Sequence, residues 1–538
     1  MERCDAILEE LAEQVKQLRP PQTKAGKRET VMIPMRDGKK LYTRFIYPEG
    51  MEKGIVTFQR TCYEFQIPIF EWMACRMAER GYISGYQLSR GIGCSEGEWE
   101  PFVHERSDGI DTVQWLQEQE FAEQIGLYGL SYGGYTQWLI ADCLPDKIKT
   151  IVIAQAGIDR YHSVYANGCF RHDVYTAWAL ENAGFTLQDF YPECCAYRPF
   201  ADMDQKVLKK RLPWFEEWLL HTDEDDAYWK DGMWADLKCV AQKLRVPVCL
   251  LGGWYDHHLE GMYYAWEHLP QNIRNQSRFL IGPWLHGLQN GVDAYEIHNH
   301  EHDSCFGFNE AFRWLDGFFG KAQKPETGLI GYMIGKDDWV RGEAQAVEER
   351  PIQLFPADAA QFVHDPKRPL PVHGGESMLY APPELRGSRK QKKQRDERIA
   401  VFYSEPLPEE VAVSGSIEVR FRVVSDCEDT AVVVKLMEEF EHGDAYNIRN
   451  MASTLSAQKG DSGTDIQGAE VSVELTLWPV MWTFRKGSRM RLEISSSHFP
   501  EYHVHTNTAG SWAVQSEEKV AVNRVVGNVC VVIPQRKA

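Results

Sequence analysis

The spacing of apolar residues changes several times along the chain, and each change predicts a different architecture. Ile7, Leu8, Leu11, Val15 and Leu18 fall on one face of a helix over residues 6–18, which Pro20 and Pro21 end. From Thr30 the period drops to two. Val31, Ile33 and Met35 alternate, Asp37-Gly38 offers a turn, and Leu41, Thr43 and Phe45 alternate again, a hairpin pattern. Short apolar strands at 54–58, 83–88 and 125–129 then alternate with helices at about 70–80 and 105–118. Strands that alternate with helices predict a parallel sheet covered on both faces. Residues 160–240 lose the strand signal and fill with aromatics and acids, as in Trp214-Phe215-Glu216-Glu217-Trp218, which predicts a helical insertion. The α/β pattern resumes with strands at 246–251 and 279–281. Beyond about 345, short strands between Gly, Pro and Asp turns (416–424, 430–436, 470–477, 489–495, 519–526) predict an all-β sandwich.

These textures divide the 538 residues into an N-terminal helix and extension (1–27), an α/β body (28–150 and 241–345), a helical insertion (151–240) and a C-terminal β-sandwich (346–538). The N-terminal helix can dock on the body or on a second copy, so a homodimer stays open. The basic run Arg389-Lys390-Gln391-Lys392-Lys393-Gln394-Arg395 reads as a solvated loop.

Composition narrows the function classes. A hydrophobic content of 43% supports packed cores, and a net charge of −19 repels phosphate backbones, which excludes nucleic acid as a partner. The 13 cysteines are odd in number with no framework spacing, and the adjacent Cys194 and Cys195 are poorly placed to pair. The start, Met1-Glu2-Arg3-Cys4-Asp5, has no apolar signal region, and no apolar run approaches the roughly 20 residues of a membrane helix. The expectation is a soluble, reduced, cytoplasmic protein with no membrane partner.

The chemistry concentrates at Gly129-Leu130-Ser131-Tyr132-Gly133-Gly134, which follows an apolar strand and opens a helix. In that context G-x-S-x-G is the nucleophile elbow of an α/β-hydrolase. The serine sits on a sharp, strained turn, and flanking glycines let strand and helix backbones approach. A serine hydroxyl needs a base oriented by an acid, and in this fold the chain order is Ser, acid, His. Asp256 follows the strand 246–251 and Gly252-Gly253-Trp254-Tyr255. His286 follows the next strand and Gly282-Pro283-Trp284-Leu285. Both fall past strand ends, where ligands bind in such sheets. Ser131, Asp256 and His286 are therefore the expected triad.

These residues carry a resemblance. The chain is similar, over about residues 28–535, to the cocaine esterase and X-prolyl dipeptidyl-peptidase family of serine hydrolases (CocE/NonD). Its marker blocks stand here as Met35-Arg36-Asp37-Gly38, Arg90-Gly91-Ile92-Gly93-Cys94-Ser95-Glu96-Gly97, the elbow, Gly253-Trp254-Tyr255-Asp256 and Gly282-Pro283-Trp284-Leu285-His286. Asp365-Pro366, Gly374-Gly375, Ser404-Glu405-Pro406-Leu407, Arg489-Met490-Arg491-Leu492 and Ser495-Ser496-Ser497-His498-Phe499-Pro500 continue the series. The resemblance implies an α/β-hydrolase core with an inserted helical cap and a C-terminal jelly-roll-like β-sandwich. It also implies an oxyanion hole made by the Tyr63 hydroxyl and the Tyr132 backbone N–H. No cofactor is expected.

The resemblance leaves the substrate open. Relatives that hydrolyse α-amino acid esters hold the ammonium with acids two and three positions past the triad Asp, where this chain has His258 and Leu259, and with a cap acid, where it has Tyr161, His162 and Tyr165. That reading is weakened. Glu181 and Asp173 are the acids the cap offers for a peptide N-terminus, though both read as solvated helix acids. The aromatics Tyr161, Tyr165, Phe170, Tyr175 and Trp178, with His258, are the candidate pocket residues, and they favour an apolar or aromatic acyl group. The expected reaction is hydrolysis of an ester or amide through an acyl-enzyme, with a small-molecule ester, amide or short peptide as substrate. The alternatives are an X-prolyl dipeptidyl-peptidase-type aminopeptidase and an acyltransferase on the same triad. A non-catalytic binding protein predicts a broken triad, whereas every member is present. His298, His300 and His302 alternate and could share one strand face around zinc, but they read as a surface loop, and no metal is expected.

Overall fold

The computed structural model describes residues 2–302, 307–342, 347–376, 380–391, 396–460 and 465–536. Its central sheet has ten strands in the order Ala25–Pro34, Lys40–Pro48, Ile83–Leu88, Gly54–Thr61, Ala122–Leu130, Ile148–Ala154, Val248–Tyr255, Arg278–Leu285, Gly328–Met333, Asp338–Arg341. From Ile83–Leu88 to Gly328–Met333 every ladder is parallel, and antiparallel strands close both ends. A parallel strand is buried on both faces, which explains the unbroken apolar runs. Val248–Tyr255 and Arg278–Leu285 are buried at every position. The opening hairpin takes the register the alternation requires, with Ile33 opposite Leu41 and Val31 opposite Thr43.

One central strand, Ile148–Ala154, was not singled out from the sequence. Lys149 and Thr150 interrupt its apolar run, yet Thr150 is buried, donating to the Pro247 carbonyl at 2.8 Å and accepting from the Trp314 indole at 2.8 Å. A division at 150 therefore falls inside a strand, and the sheet carries the body on to Ala154. The division at 345 lies outside the described residues.

The N-terminal helix, Glu2–Gln14, lies on the body of its own chain. Leu11 is fully buried, Asn309 donates to the Gln14 carbonyl at 3.0 Å, and Arg19 forks onto Asp316 at 2.9 and 3.0 Å. Between Ala154 and Val248 stand the helices Arg160–Val164, His172–Asn182, Leu187–Ala196, Pro213–Leu220 and Gly232–Lys238, with a short ribbon pairing Tyr165–Ala166 with Cys169–Phe170. The C-terminal part is mostly β, with antiparallel ladders throughout and an α-helical turn, Leu455–Gln458. Within it Val347–Pro356 pairs Val529–Arg536 along most of its length and Ala400–Tyr403 at its end, which joins two ladders. Glu470–Phe484 alternates buried and exposed positions over its first half, the period-two signature. Among the described residues no helix is long and apolar enough to cross a membrane.

The β part clamps the other two. His172 and Asp173 donate their backbone N–H groups to the Glu501 and Pro500 carbonyls at 2.9 and 2.7 Å. The Asp173 carboxylate is not solvated: it is buried and accepts the N–H groups of Tyr380 and Ala381 at 2.7 and 2.8 Å. Arg449, also buried, donates to the Trp254 carbonyl, two residues before Asp256, and pairs with Glu376 at 2.9 Å.

The base of the insertion is pinned by charge. Asp159 caps the helix Arg160–Val164 by accepting the His162 N–H, lies 3.0 Å from the His162 ring and takes Lys238 at 2.7 Å. Burial opposes charge on His162, but the bond to Asp159 and the fields of Glu260, Asp159 and Glu224 outweigh it and raise its pKa to about 9. The folded value exceeds the unfolded one. The contribution is therefore complete below about pH 6.5 and is lost as the pH rises through the folded value. We predict that the melting-temperature gap between wild type and His162→Gln is wide near pH 6 and closes by about pH 10. A gap independent of pH would contradict this ion pair.

Candidate active site

The strand Ala122–Leu130 delivers Ser131 to the carboxyl edge of the sheet, and the helix Tyr132–Trp138 leaves from it. Ser131 takes φ 56° and ψ −121°, a conformation costly for a residue with a Cβ. Its N–H donates to the Ala154 carbonyl at 2.9 Å, which ties the turn to the neighbouring strand. The glycines are required by space: a Cβ on Gly129 would lie 2.2 Å from the Gly133 carbonyl oxygen, and one on Gly134 would lie 2.6 Å from the Ala156 Cβ.

Two further strand ends complete a line. His286 directly follows Arg278–Leu285, and Asp256 directly follows Val248–Tyr255. His286 Nε2 lies 3.0 Å from Ser131 Oγ, and its Nδ1 lies 2.9 Å from Asp256 Oδ1. A carboxylate can only accept, so the proton sits on Nδ1 and Nε2 is free to accept from the serine. Asp256 is fully buried. Gln155, one residue past the missed strand, holds the histidine loop from both sides. It donates to the Leu285 carbonyl at 2.7 Å and accepts the Gly287 N–H at 2.5 Å. Sequence reasoning passed over it because the strand it follows was not recognised. A polar residue at the carboxyl end of that strand was the available signal.

Tyr63 and Tyr132 meet beside Ser131, their rings 6.3 Å apart. The Trp178 indole donates to the Tyr63 oxygen at 3.2 Å. Since the indole N–H can only donate, the Tyr63 hydroxyl proton is left to point elsewhere, and that hydroxyl faces Ser131. Burial and the neighbouring Cys62 push the phenol's pKa up, so it stays a proton donor. Tyr132 opens the elbow helix, with its backbone N–H at the helix start. Its side chain is fixed by the Phe102 N–H at 3.0 Å and by Glu105 at 3.0 Å, and Glu105 is itself paired with Arg60 at 2.9 Å.

Two spaces flank the serine. The larger, about 630 Å³, includes His286 in its wall and is otherwise mostly apolar, with Ile69, Phe70, Met73 and Phe308. Ala6 and Ile7 of the N-terminal helix, Glu181 and Arg389 also line it, so Arg389 borders the site rather than a solvated loop, while Lys392 to Arg395 lie outside the described residues. The smaller, about 30 Å³, is bounded by Tyr63, Tyr132, Tyr135, Arg160, Tyr175, His257 and His258. Trp178 lines both.

Of the candidate pocket residues, Tyr175, Trp178 and His258 line space beside the serine. Tyr161, Tyr165 and Phe170 line neither space. They pack on one another, with centroids 5.5 Å apart along the series, and Phe170 stacks on Trp512 of the β part at 5.3 Å. His298 is exposed and donates its backbone N–H to Asp337, whereas the His302 ring packs on Trp339 and faces Glu310 at 3.5 Å. They do not converge as metal ligands. Among the described residues the one such cluster is His257, His258 and His286, whose ring nitrogens come within 4.8 Å of one another. Burial and the mutual fields of these rings push His257 and His258 well below the usual histidine range, so both are neutral. Both nitrogens of His286 are already engaged by Asp256 and Ser131.

Residues 37–288 match the family model described as X-Pro dipeptidyl-peptidase (S15 family), and 339–525 match the X-Pro dipeptidyl-peptidase C-terminal non-catalytic domain. The chain is 25% identical over 565 aligned positions to cocaine esterase of Rhodococcus sp. (strain MB1 Bresler), covering 92% of this chain and 95% of that protein. In structure it is similar to an aminopeptidase of a marine sediment archaeon, Thaumarchaeota archaeon (TM-score 0.79, 19% identity, 97% and 98% of the two chains). It is also similar to an α-amino acid ester hydrolase (TM-score 0.81, 19% identity, 96% and 98%). At that identity the two structures establish the shared fold.

Replacing Gly129 by Ala forces the elbow open or clashes with the Gly133 carbonyl. We predict a loss of at least about 2 kcal/mol of stability, read as a lower melting temperature. An unchanged melting temperature would show that the turn relaxes freely.

Proposed function

We propose that this chain, which belongs to the S15 family and is a serine hydrolase, cleaves carboxylic esters through an acyl-enzyme on Ser131. The observation that carries the reading is the unbroken line from Asp256 through His286 to Ser131, with the Tyr63 hydroxyl beside it. His286 Nε2 takes the Ser131 proton as Oγ attacks the ester carbonyl carbon. The carbonyl π pair moves onto oxygen, where the Tyr63 hydroxyl and the Tyr132 N–H stabilise it. Asp256 stabilises the imidazolium. The oxyanion then collapses, the C–O bond to the alcohol breaks, and His286 gives its proton to the departing oxygen. Water repeats the sequence in reverse roles and releases the acid.

An ester is favoured over a peptide with a free N-terminus by the smaller space. Its lining holds Arg160 and neutral histidines and no carboxylate, while Glu181 stands on the wall of the larger space. Similar proteins span both chemistries, a cocaine esterase and an aminopeptidase. The described cysteines are free thiols, which supports a reducing, cytoplasmic setting.

Ser131→Ala is expected to abolish p-nitrophenyl ester turnover without a change in melting temperature. Tyr63→Phe is expected to lower kcat about 100- to 1000-fold, the usual cost of one oxyanion donor. Preference for Xaa-Pro-p-nitroanilides over p-nitrophenyl esters would overturn the ester assignment. Retained turnover in Ser131→Ala would overturn the nucleophile.

A further inference from the structure

Asp256 is followed at once by two histidines, His257 and His258, which line the small recess and are 2% and 4% exposed. Their rings close on the catalytic base. Centroids lie 3.9 Å apart between His257 and His258, 5.1 Å between His257 and His286, and 5.7 Å between His258 and His286. One ring nitrogen of each falls within 4.8 Å of the others. The acyl-enzyme mechanism uses His286 alone and leaves the other two rings without a role.

The neighbours of each ring decide which nitrogen carries its proton. His286 Nδ1 and His257 Nδ1 lie 2.9 and 3.5 Å from Asp256 Oδ1, and a carboxylate only accepts, so Nδ1 is protonated in both. His258 Nδ1 lies 3.4 Å from Ser163 Oγ, whose single proton already goes to the Asp159 carbonyl at 2.8 Å. Ser163 can then only accept, so His258 Nδ1 is protonated too. All three Nε2 atoms therefore keep a lone pair. Among the described residues neither His257 Nε2 nor His258 Nε2 has a hydrogen-bond partner, and neither is sealed from solvent. An imidazole held through one nitrogen by an acceptor, with the other nitrogen free, is the form in which histidine binds a metal ion. Tetrahedral coordination with nitrogens about 2.0–2.1 Å from zinc sets ring centroids about 5 Å apart. The two separations to His286 are already near that distance, and the His257–His258 pair opens by about 1 Å to reach it.

We infer that His257, His258 and His286 form a site for Zn²⁺ whose occupancy switches the hydrolase off. This rests on His286 serving as the base and adds its regulation. The ion takes the Nε2 lone pair that otherwise accepts the Ser131 proton. The serine then keeps its proton and no bond to the ester carbon forms. No proton is released, because the three ligand nitrogens are unprotonated. The recess, about 30 Å³, has room for the ion and a water as fourth ligand, and Ser131 borders both it and the large cavity from which the ion enters. Asp256 attracts the dication, while Arg160 on the recess wall repels it, so the ion exchanges rather than staying as a permanent constituent.

The test titrates Zn²⁺ into the metal-free full-length protein during p-nitrophenyl ester hydrolysis. Inhibition is expected at micromolar Zn²⁺ and is reversed by EDTA, whereas Mg²⁺, which prefers oxygen ligands, has no effect. His257→Phe and His258→Phe, each measured against its own metal-free rate, are expected to raise the half-inhibiting concentration at least about tenfold. Turnover unchanged at millimolar Zn²⁺ overturns the inference, as does an unchanged half-inhibiting concentration in either variant when folded. If neither variant folds, fluorophosphonate labelling of the wild type decides. Zn²⁺ should slow modification of Ser131 in step with inhibition, and labelling that is not slowed overturns the site. Failure of the hydrolase reading looks different: the metal-free protein turns over no ester, while Ser131→Ala, which keeps all three rings, still binds Zn²⁺ by calorimetry.

Discussion

The backbone at Ser131 is the constraint on which the site depends. A positive φ at a residue with a Cβ is tolerated here because its surroundings over-determine it. Gly129 and Gly134 remove the Cβ atoms that would collide with the helix and with Ala156, and the Ala154 carbonyl takes the Ser131 N–H from the next strand. The turn therefore needs the parallel sheet as a rigid frame. The same frame sets Asp256 and His286 one residue past two adjacent strands, in register through the pairing of Val248–Tyr255 with Arg278–Leu285. Three strand ends, rather than three loops, fix the distances along the line from Asp256 through His286 to Ser131.

Around that line the molecule is asymmetric. The side that includes His286 is roomy and apolar, and the N-terminal helix contributes Ala6 and Ile7 to its wall. The opposite side is tight, aromatic and polar at its floor. Trp178 stands between them and serves both, as wall and as donor to the Tyr63 oxygen. The β part reaches the same line from behind, through Arg449 on the Trp254 carbonyl. This gives the β part a physical reason to stay docked: it holds the turn that presents Asp256.

Local pattern carried much of this into the sequence. The elbow, the hairpin register and the strand ends before Asp256 and His286 are short-range signals, and the fold class followed from their order. What the sequence hid was set by tertiary context. Ile148–Ala154 looks interrupted because its polar Thr150 is satisfied by distant partners, Pro247 and Trp314. Gln155 was lost with it. Asp173 read as a solvated acid because its partners, the Tyr380 and Ala381 amides, lie some two hundred positions away. Among the cap aromatics, spacing could not separate Trp178, which reaches the serine, from Tyr161, Tyr165 and Phe170, which pack the interior. Arg160 carried no signal at all, because a lone arginine at a helix start becomes unusual only once five rings surround it.

The central claim is that turnover passes through the Ser131 hydroxyl. Stoichiometric labelling with a fluorophosphonate, followed by peptide mass mapping and residual ester hydrolysis, tests it most directly. The account predicts a single adduct on Ser131 and activity that falls in proportion to its occupancy. Full activity with Ser131 completely modified, or an inactivating adduct on another residue, would contradict it.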